Sequence, residues 1–142
     1  MLLRNNATGY FLYKGIQQGF DFELAKLFAK ERNLRIDVVV PPAAADVIPW
    51  LLDGRADVIA TSMTVTDERS RRVSFTRPYL FTDEVIVQRA GETPLKTIAD
   101  LASKVIHVRK SSSYRSTLDA LASRASFTVV AAPEELETEQ LI

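Results

Sequence analysis

The stretch Ala60-Thr61-Ser62-Met63-Thr64-Val65-Thr66-Asp67-Glu68-Arg69 gathers hydroxyls, backbone donors and a guanidinium directly after a short apolar run, Asp57 to Ala60. These residue types suit the capture of an anion. Arginine presents a planar fork that holds a carboxylate through two charge-assisted hydrogen bonds, and serine and threonine add short donors beside it. Ser62, Thr64 and Arg69 are the first candidates on that basis. A plainer reading competes for Arg69, which follows two acids and precedes Arg71 and Arg72, and so also fits a solvated helix residue paired with Asp or Glu. A second polar loop, Arg109-Lys110-Ser111-Ser112-Ser113, stands after the apolar run Val105-Ile106-His107-Val108. In α/β folds, loops outside the carboxyl ends of strands are where ligands bind.

The elements that must position these loops are read from periodicity and punctuation. Thr66 can cap a short helix whose first turn holds Asp67 and Glu68, with Arg69 projecting from that fixed base. Upstream, Leu2 to Asn5 reads as a strand. Gly9, Gly15 and Gly19 frame an extended segment and a turn in which Tyr10, Phe11 and Tyr13 either pack a hairpin on the core or line a cleft, packing being the commoner role. Phe20, Leu24, Leu27 and Phe28 recur at helical spacing, so a helix is expected over Phe20 to Arg32, with Asn33 ending it. Arg35 to Val40 is β-branched and stopped by Pro41 and Pro42. Ala43 to Asp53 reads as a helix with Asp46 as N-cap, Val47, Ile48, Leu51 and Leu52 inward, and Gly54 as a left-handed stop. Glu84 to Val87 reads as a further strand, and Ala90 to Pro94 as the boundary to a second unit. That unit reads as a short helix over Thr97 to Ala102, strands at Val105–Val108 and Phe127–Val130, a helix over Ser113–Ala122, and a helix start over Pro133–Ile142. Alternating β and α elements indicate a parallel sheet.

Composition narrows the function classes. Lys plus Arg equals Asp plus Glu at 18 each, so no net field invites nucleic acid or an anionic membrane, and charge recognition must be local. The chain has no cysteine and one histidine. Disulfides and thiolate metal sites are thereby excluded, a histidine metal site is disfavoured, and His107 in its apolar strand reads as a core residue. No run approaches the ~20 apolar residues of a membrane span, and Met1 to Asn6 is too short and polar for a signal peptide.

Four motifs in order carry a resemblance. These are Gly19-Phe20-Asp21-Phe22-Glu23-Leu24-Ala25, Ile48 to Ile59, Thr64-Val65-Thr66-Asp67-Glu68-Arg69 and Phe75-Thr76-Arg77-Pro78-Tyr79. Together they resemble the extracellular solute-binding proteins of family 3, the polar amino-acid receptors of bacterial transporters. Within that superfamily, Arg4-Asn5-Asn6-Ala7-Thr8, the Pro41-Pro42 exit, Ile48-Pro49-Trp50-Leu51-Leu52 and Val108 to Tyr114 are most similar to the receptor-like domain of membrane-bound lytic murein transglycosylase F and its relatives. The resemblance implies an α/β fold of the periplasmic binding protein type II kind, two lobes with parallel-rich sheets. Lobe 1 would span residues 1–89 and a partial, truncated lobe 2 residues 90–142, because only one crossing between lobes is visible, near Val87 to Gly91. The open strand edges of such a lobe invite strand exchange with another copy.

Carried over by position, the family's carboxylate-binding arginine falls on Arg69, its lobe-one hydroxyl ligands on Ser62 and Thr64, and its cleft aromatic on Tyr13. Its lobe-two contacts fall on Arg109, Ser111, Ser112 and Ser113, the three serines standing where the family usually has Gly-Thr-Thr or Gly-Thr-Gly. The resemblance implies an amino-acid or peptide ligand, no cofactor and no metal. It also implies a membrane transporter or a fused catalytic domain as partner, and a periplasmic or cell-envelope location. A binding module is the expectation. The alternatives are a sensor domain and an enzyme, either a transglycosylase or a dehydratase of the same fold. A transglycosylase needs a catalytic acid in a helical domain whose typical Glu-Ser pair is absent from this sequence.

Overall fold

In a computed structural model that describes residues 1–141, Leu2 and Leu3 have no exposed surface, and the first unit of the chain, Met1–Thr64, is built outward from them. Their segment is the centre of three parallel extended stretches, bridged at Leu2 to Val39 on one side and to Ile59 on the other. The Leu2 N–H donates to the Val58 carbonyl at 2.7 Å, the Ala60 N–H to the Leu2 carbonyl at 2.9 Å, and the Leu3 N–H to the Val39 carbonyl at 3.1 Å. The expected strands at 2–5, 35–40 and 57–60 are thus in place as neighbours, although each is joined by a bridge rather than a continuous ladder. Ile59 and Ala60 are half-buried, not core.

A hairpin follows: β1 (Phe11–Tyr13) pairs antiparallel with β2 (Ile16–Gln18). Lys14 and Gly15 between them both have positive φ, 50° and 77°, the backbone that a tight hairpin turn demands. Helix α1 (Phe20–Glu31) then ends at Asn33, whose φ is 53°. Its buried face is Asp21, Phe22, Ala25 and Ala29, whereas Phe20, Leu24, Leu27 and Phe28, expected inward, are exposed. Tyr10 and Phe22 meet edge to face at 5.5 Å and cluster with Leu3, against which Val38 and Ala60 pack.

Helix α2 (Val47–Leu52) buries Val47 and Ile48 and leaves Leu52 exposed. Pro49 sits in its first turn, where the missing N–H costs nothing. The Gly54 N–H donates to the Leu51 carbonyl and the Arg55 N–H to the Trp50 carbonyl, each at 3.0 Å, with Gly54 at φ 73°. That bond pair is a Schellman stop. Trp50 is half-buried, with the Arg55 guanidinium 4.5 Å above its ring.

The second unit begins at Val65, so residues 65–89 cluster with it, whereas the sequence reading assigned them to the first lobe. It contains helix α3 (Asp67–Ser70), a 3-10 turn at Ile98–Leu101 in place of the expected helix, strand β3 (Val105–Arg109), helix α4 (Ser113–Ala122) and strand β4 (Thr128–Ala132). β3 and β4 run parallel, in register from Val105 opposite Thr128 to Arg109 opposite Ala132, with α4 packed on both. Leu101, Val108, Leu118 and Ala132 are its buried apolar side chains among the described residues. His107 is exposed rather than core. Asp100 closes the 3-10 turn by accepting the Lys96 and Thr97 N–H groups at 2.9 and 2.8 Å, and these bonds hold its carboxyl below the ordinary range.

Two expected elements are absent. Glu84 to Val87 forms no ladder among the described residues, and Val85, Ile86 and Val87 are exposed; β-branched residues make a strand only beside a partner. Pro133 onward forms a turn and a 3-10 turn at Thr138–Gln140 rather than an α-helix, and the last residue of that expected helix, Ile142, lies outside the described residues.

Two glycines separate strain from space. A Cβ on Gly19, at φ 129°, would collide with the Gly9 carbonyl and stand 2.7 Å from the Tyr10 Cα, while one on Gly54 meets nothing. Gly19→Ala is expected to cost more than about 3 kcal/mol in urea unfolding and Gly54→Ala only about 1–2 kcal/mol. Equal losses would mean that the Gly9–Gly19 approach is not tight in solution.

Candidate functional site

The first polar loop is held by an acid that lies far from it in sequence. Asp21, the second residue of α1, is only 5% exposed. Its Oδ2 accepts the Ser62 N–H at 3.1 Å and its Oδ1 accepts the Ser62 hydroxyl at 2.9 Å. Thr64, two residues on, is exposed. Tyr13 is 55% exposed on the hairpin, with Lys14 Nζ 5.4 Å from its ring centre. Of the tyrosines flanking Phe11 and Leu12, Tyr10 is the one in the core. Its hydroxyl accepts from Gln17 Nε2 at 2.9 Å.

In the second unit Thr66 caps α3 as expected, its Oγ1 accepting the Arg69 N–H at 3.3 Å. The Arg69 side chain is half-buried, and its Nη2 donates to the Ser111 carbonyl at 2.8 Å. Burial lowers the pKa of this guanidinium from the ordinary arginine value, and the neighbouring Glu68 carboxylate raises it in part. A cation that has lost part of its water in this way favours an anion close by.

The second polar loop is gripped in turn from the segment after β4. The Ser111 N–H donates to Glu134 Oε1 at 3.0 Å and its hydroxyl to Oε2 at 2.5 Å. Arg109 turns to the same segment, with Nη1 on the Leu136 carbonyl at 2.5 Å and Nη2 on Thr138 Oγ1 at 3.3 Å. Ser112 Oγ accepts the Tyr114 N–H at 3.3 Å and so caps α4, of which Ser113 is the first residue.

Within the second unit the fold therefore joins Arg69 to Ser111, while the Arg109 guanidinium is engaged with Leu136 and Thr138. Three residues escaped the sequence reading. Arg4, 8% exposed, follows the central Leu2-Leu3 pair; Asp21 belongs to the Gly19-Phe20-Asp21 motif; Glu134 follows Pro133 at the exit of β4. Asp21 and Glu134 stand at the start of a helix and just past a strand, and the serine that each holds is distant in sequence. Among the described residues no cluster of three His, Asp or Glu side chains could hold a metal ion, and no helix is long and apolar enough to cross a membrane. An open groove of about 530 Å³ on α1, lined in part by Phe22, Lys26, Leu27 and Leu34, includes none of the candidate residues.

Parallel β and α elements ending in loops of hydroxyls and arginine define the class: the periplasmic binding protein type II fold. The amino acid ABC transporter substrate-binding protein AbpA from Streptococcus pneumoniae Canada MDR_19A, solved bound to L-arginine, superposes with a TM-score of 0.79 and 26% identity over 99% of this chain and 59% of that one. The chain belongs to the bacterial extracellular solute-binding proteins, family 3, whose profile matches residues 5–129. Membrane-bound lytic murein transglycosylase F of Desulfosudis oleivorans is 32% identical over all of this chain, which covers 31% of that protein. A probable histidine-binding protein of Campylobacter jejuni is 34% identical over 72% of this chain and 40% of its own length. The chain thus spans 31%, 40% and 59% of the lengths of the transglycosylase, the histidine-binding protein and AbpA.

Asp21→Ala should lower stability by about 1.5–3 kcal/mol, the scale for hydrogen bonds to a charged group, and Asp21→Asn by less, because one acceptor remains. Urea unfolding followed by circular dichroism measures both. An Asp21→Ala protein as stable as wild type would remove the Ser62 contact from the account of this fold.

Proposed function

We propose that this chain is a non-catalytic domain that captures a small carboxylate-bearing ligand, an amino acid or a short peptide derived from peptidoglycan. Its setting is the regulatory part of a cell-envelope lytic transglycosylase. The observation that carries the reading is Arg69: a guanidinium seated on a capped turn, partly stripped of water and brought against the second hydroxyl-bearing loop at Ser111. A charge-assisted fork of this kind is suited to a carboxylate, with the hydroxyls of Ser112 and Ser113 as further contacts. The transglycosylase relative, matched over the whole of this chain, supports the setting and a periplasmic or envelope location.

A second reading, the amino-acid receptor of a membrane transporter, is favoured by the histidine-binding relative and by the arginine-bound neighbour. A thermal-shift screen of free L-amino acids against peptidoglycan stem peptides separates the two, because a ligand that binds only the native state raises its stability by mass action. Peptides stabilising where free amino acids do not supports the envelope regulator; the reverse supports the transport receptor.

For whichever compound stabilises the protein, Arg69→Ala should weaken binding in calorimetry by about 2–5 kcal/mol, as for other truncated charge pairs. Its own stability should fall by only about 1 kcal/mol for the lost bond to Ser111. Unchanged affinity would take Arg69 out of the site. The chain by itself should release no muropeptides from purified murein, since glycan cleavage needs an acid poised at the glycosidic oxygen; release by the purified chain would overturn the non-catalytic reading.

A further inference from the structure

Ser62 and Ser111 stand in the same arrangement on two different loops. Each follows a parallel extended segment, and each gives its backbone N–H and its hydroxyl to the two oxygens of one carboxylate, Asp21 for Ser62 and Glu134 for Ser111. Hydrogen counting decides what this means. A serine has one backbone hydrogen and one hydroxyl hydrogen, and an ionised carboxylate has none to give. Both hydrogens of both serines are therefore committed to the protein itself and are not donors to a ligand's carboxylate.

We propose that Ser62 and Ser111 are positioning residues rather than ligand contacts, that Asp21 and Glu134 are the internal carboxylates that anchor the two loops, and that Glu134 acts on the ligand through Arg69. The route is short. Glu134 fixes the amide and side chain of Ser111, and the carbonyl of the same residue receives Arg69 Nη2 at 2.8 Å. Arg109 reinforces the anchor by holding Leu136 and Thr138 of the segment that carries Glu134. Recognition then passes to Arg69 and to hydroxyls not spent in this way: Ser112 uses the acceptor side of its oxygen for the α4 cap, which leaves its O–H to donate.

The inference rests on Arg69 being the ligand's clamp, so the test has one arm that needs no ligand. In that arm, amide hydrogen exchange at Ser111 and the exchange of the Arg69 guanidinium protons are followed by NMR in wild type, Glu134→Gln and Ser111→Ala. Glu134→Gln should speed Ser111 amide exchange about tenfold or more, the scale for losing a hydrogen bond to a charged acceptor. Both variants should speed the Arg69 protons, because the carbonyl that holds them is no longer fixed. In the second arm L-arginine, L-histidine and an L-Ala-D-Glu peptide are titrated calorimetrically. Glu134→Gln, Ser111→Ala and the double variant should weaken a binding probe by the same factor, since they break one linkage. Unchanged exchange in Glu134→Gln overturns the anchor. So does tighter probe binding in that variant, which would make Glu134 a competitor of the ligand. If no probe binds wild type, the ligand-binding reading fails for these compounds while the exchange arm still decides the anchor.

Discussion

The carboxylate of Asp21, nearly sealed from solvent, ties the start of α1 to the loop at Ser62. A buried carboxylate is tolerated only when its oxygens are satisfied, and this one takes both donors of Ser62 from the far side of the unit. The demand spreads outward. A side chain on Gly9 would stand 2.8 Å from Asp21 Oδ2, and one on Gly19 would strike the Gly9 carbonyl, so both positions are restricted to glycine by the same cluster. The Thr8 and Gly9 carbonyls accept the Phe20 and Phe22 N–H groups at 2.6 and 3.1 Å, which uses two of the helix-start donors that would otherwise lack partners. The Gly-Phe-Asp motif is thus a packing and hydrogen-bonding requirement before it is a family mark.

The same bond explains the largest departure from sequence expectation. Apolar periodicity selects Phe20, Leu24, Leu27 and Phe28 as the inward face of α1, but a helix has one rotation about its axis, and Asp21 fixes it. With Asp21 turned to Ser62, the residues one and two turns on, Ala25 and Ala29, must also face inward, and Phe22 beside them meets Tyr10. Two alanines let the helix lie close to its support. The larger side chains are left on the outside, where hydrophobicity alone would not place them.

What could be read from the chain and what could not divides by distance in sequence. The bounds of α1 and α4, the glycine stop after α2, the Thr66 cap and the parallel β3–α4–β4 order rest on neighbours a few residues apart, and local chemistry was enough to place them. The family resemblance was legible for the same reason, being carried by short motifs. Glu84 to Val87 has the composition of a strand, yet strand identity is a property of a pair, and no ladder forms there among the described residues. Asp21 and Glu134 were invisible as site residues because their serines lie 41 and 23 positions away. Arg69 was legible as a candidate; its contact with Ser111, 42 positions on, was not.

The three serines after Arg109 replace the glycine-led sequence usual at that place, and the geometry shows why the exchange carries no strain. Ser111, Ser112 and Ser113 do not appear among the residues with positive φ, which outside glycine are Lys14, Asn33 and Ser103, so the loop asks nothing of its backbone that a side chain forbids. Two of the hydroxyls then take tasks that a glycine could not perform. Ser111 spends its hydroxyl on Glu134 and Ser112 caps the helix that follows. A glycine in the first position would leave one Glu134 oxygen without its donor and slacken the carbonyl on which Arg69 rests. The Ser111 hydroxyl and amide, held by Glu134, thus fix the carbonyl that receives the Arg69 guanidinium.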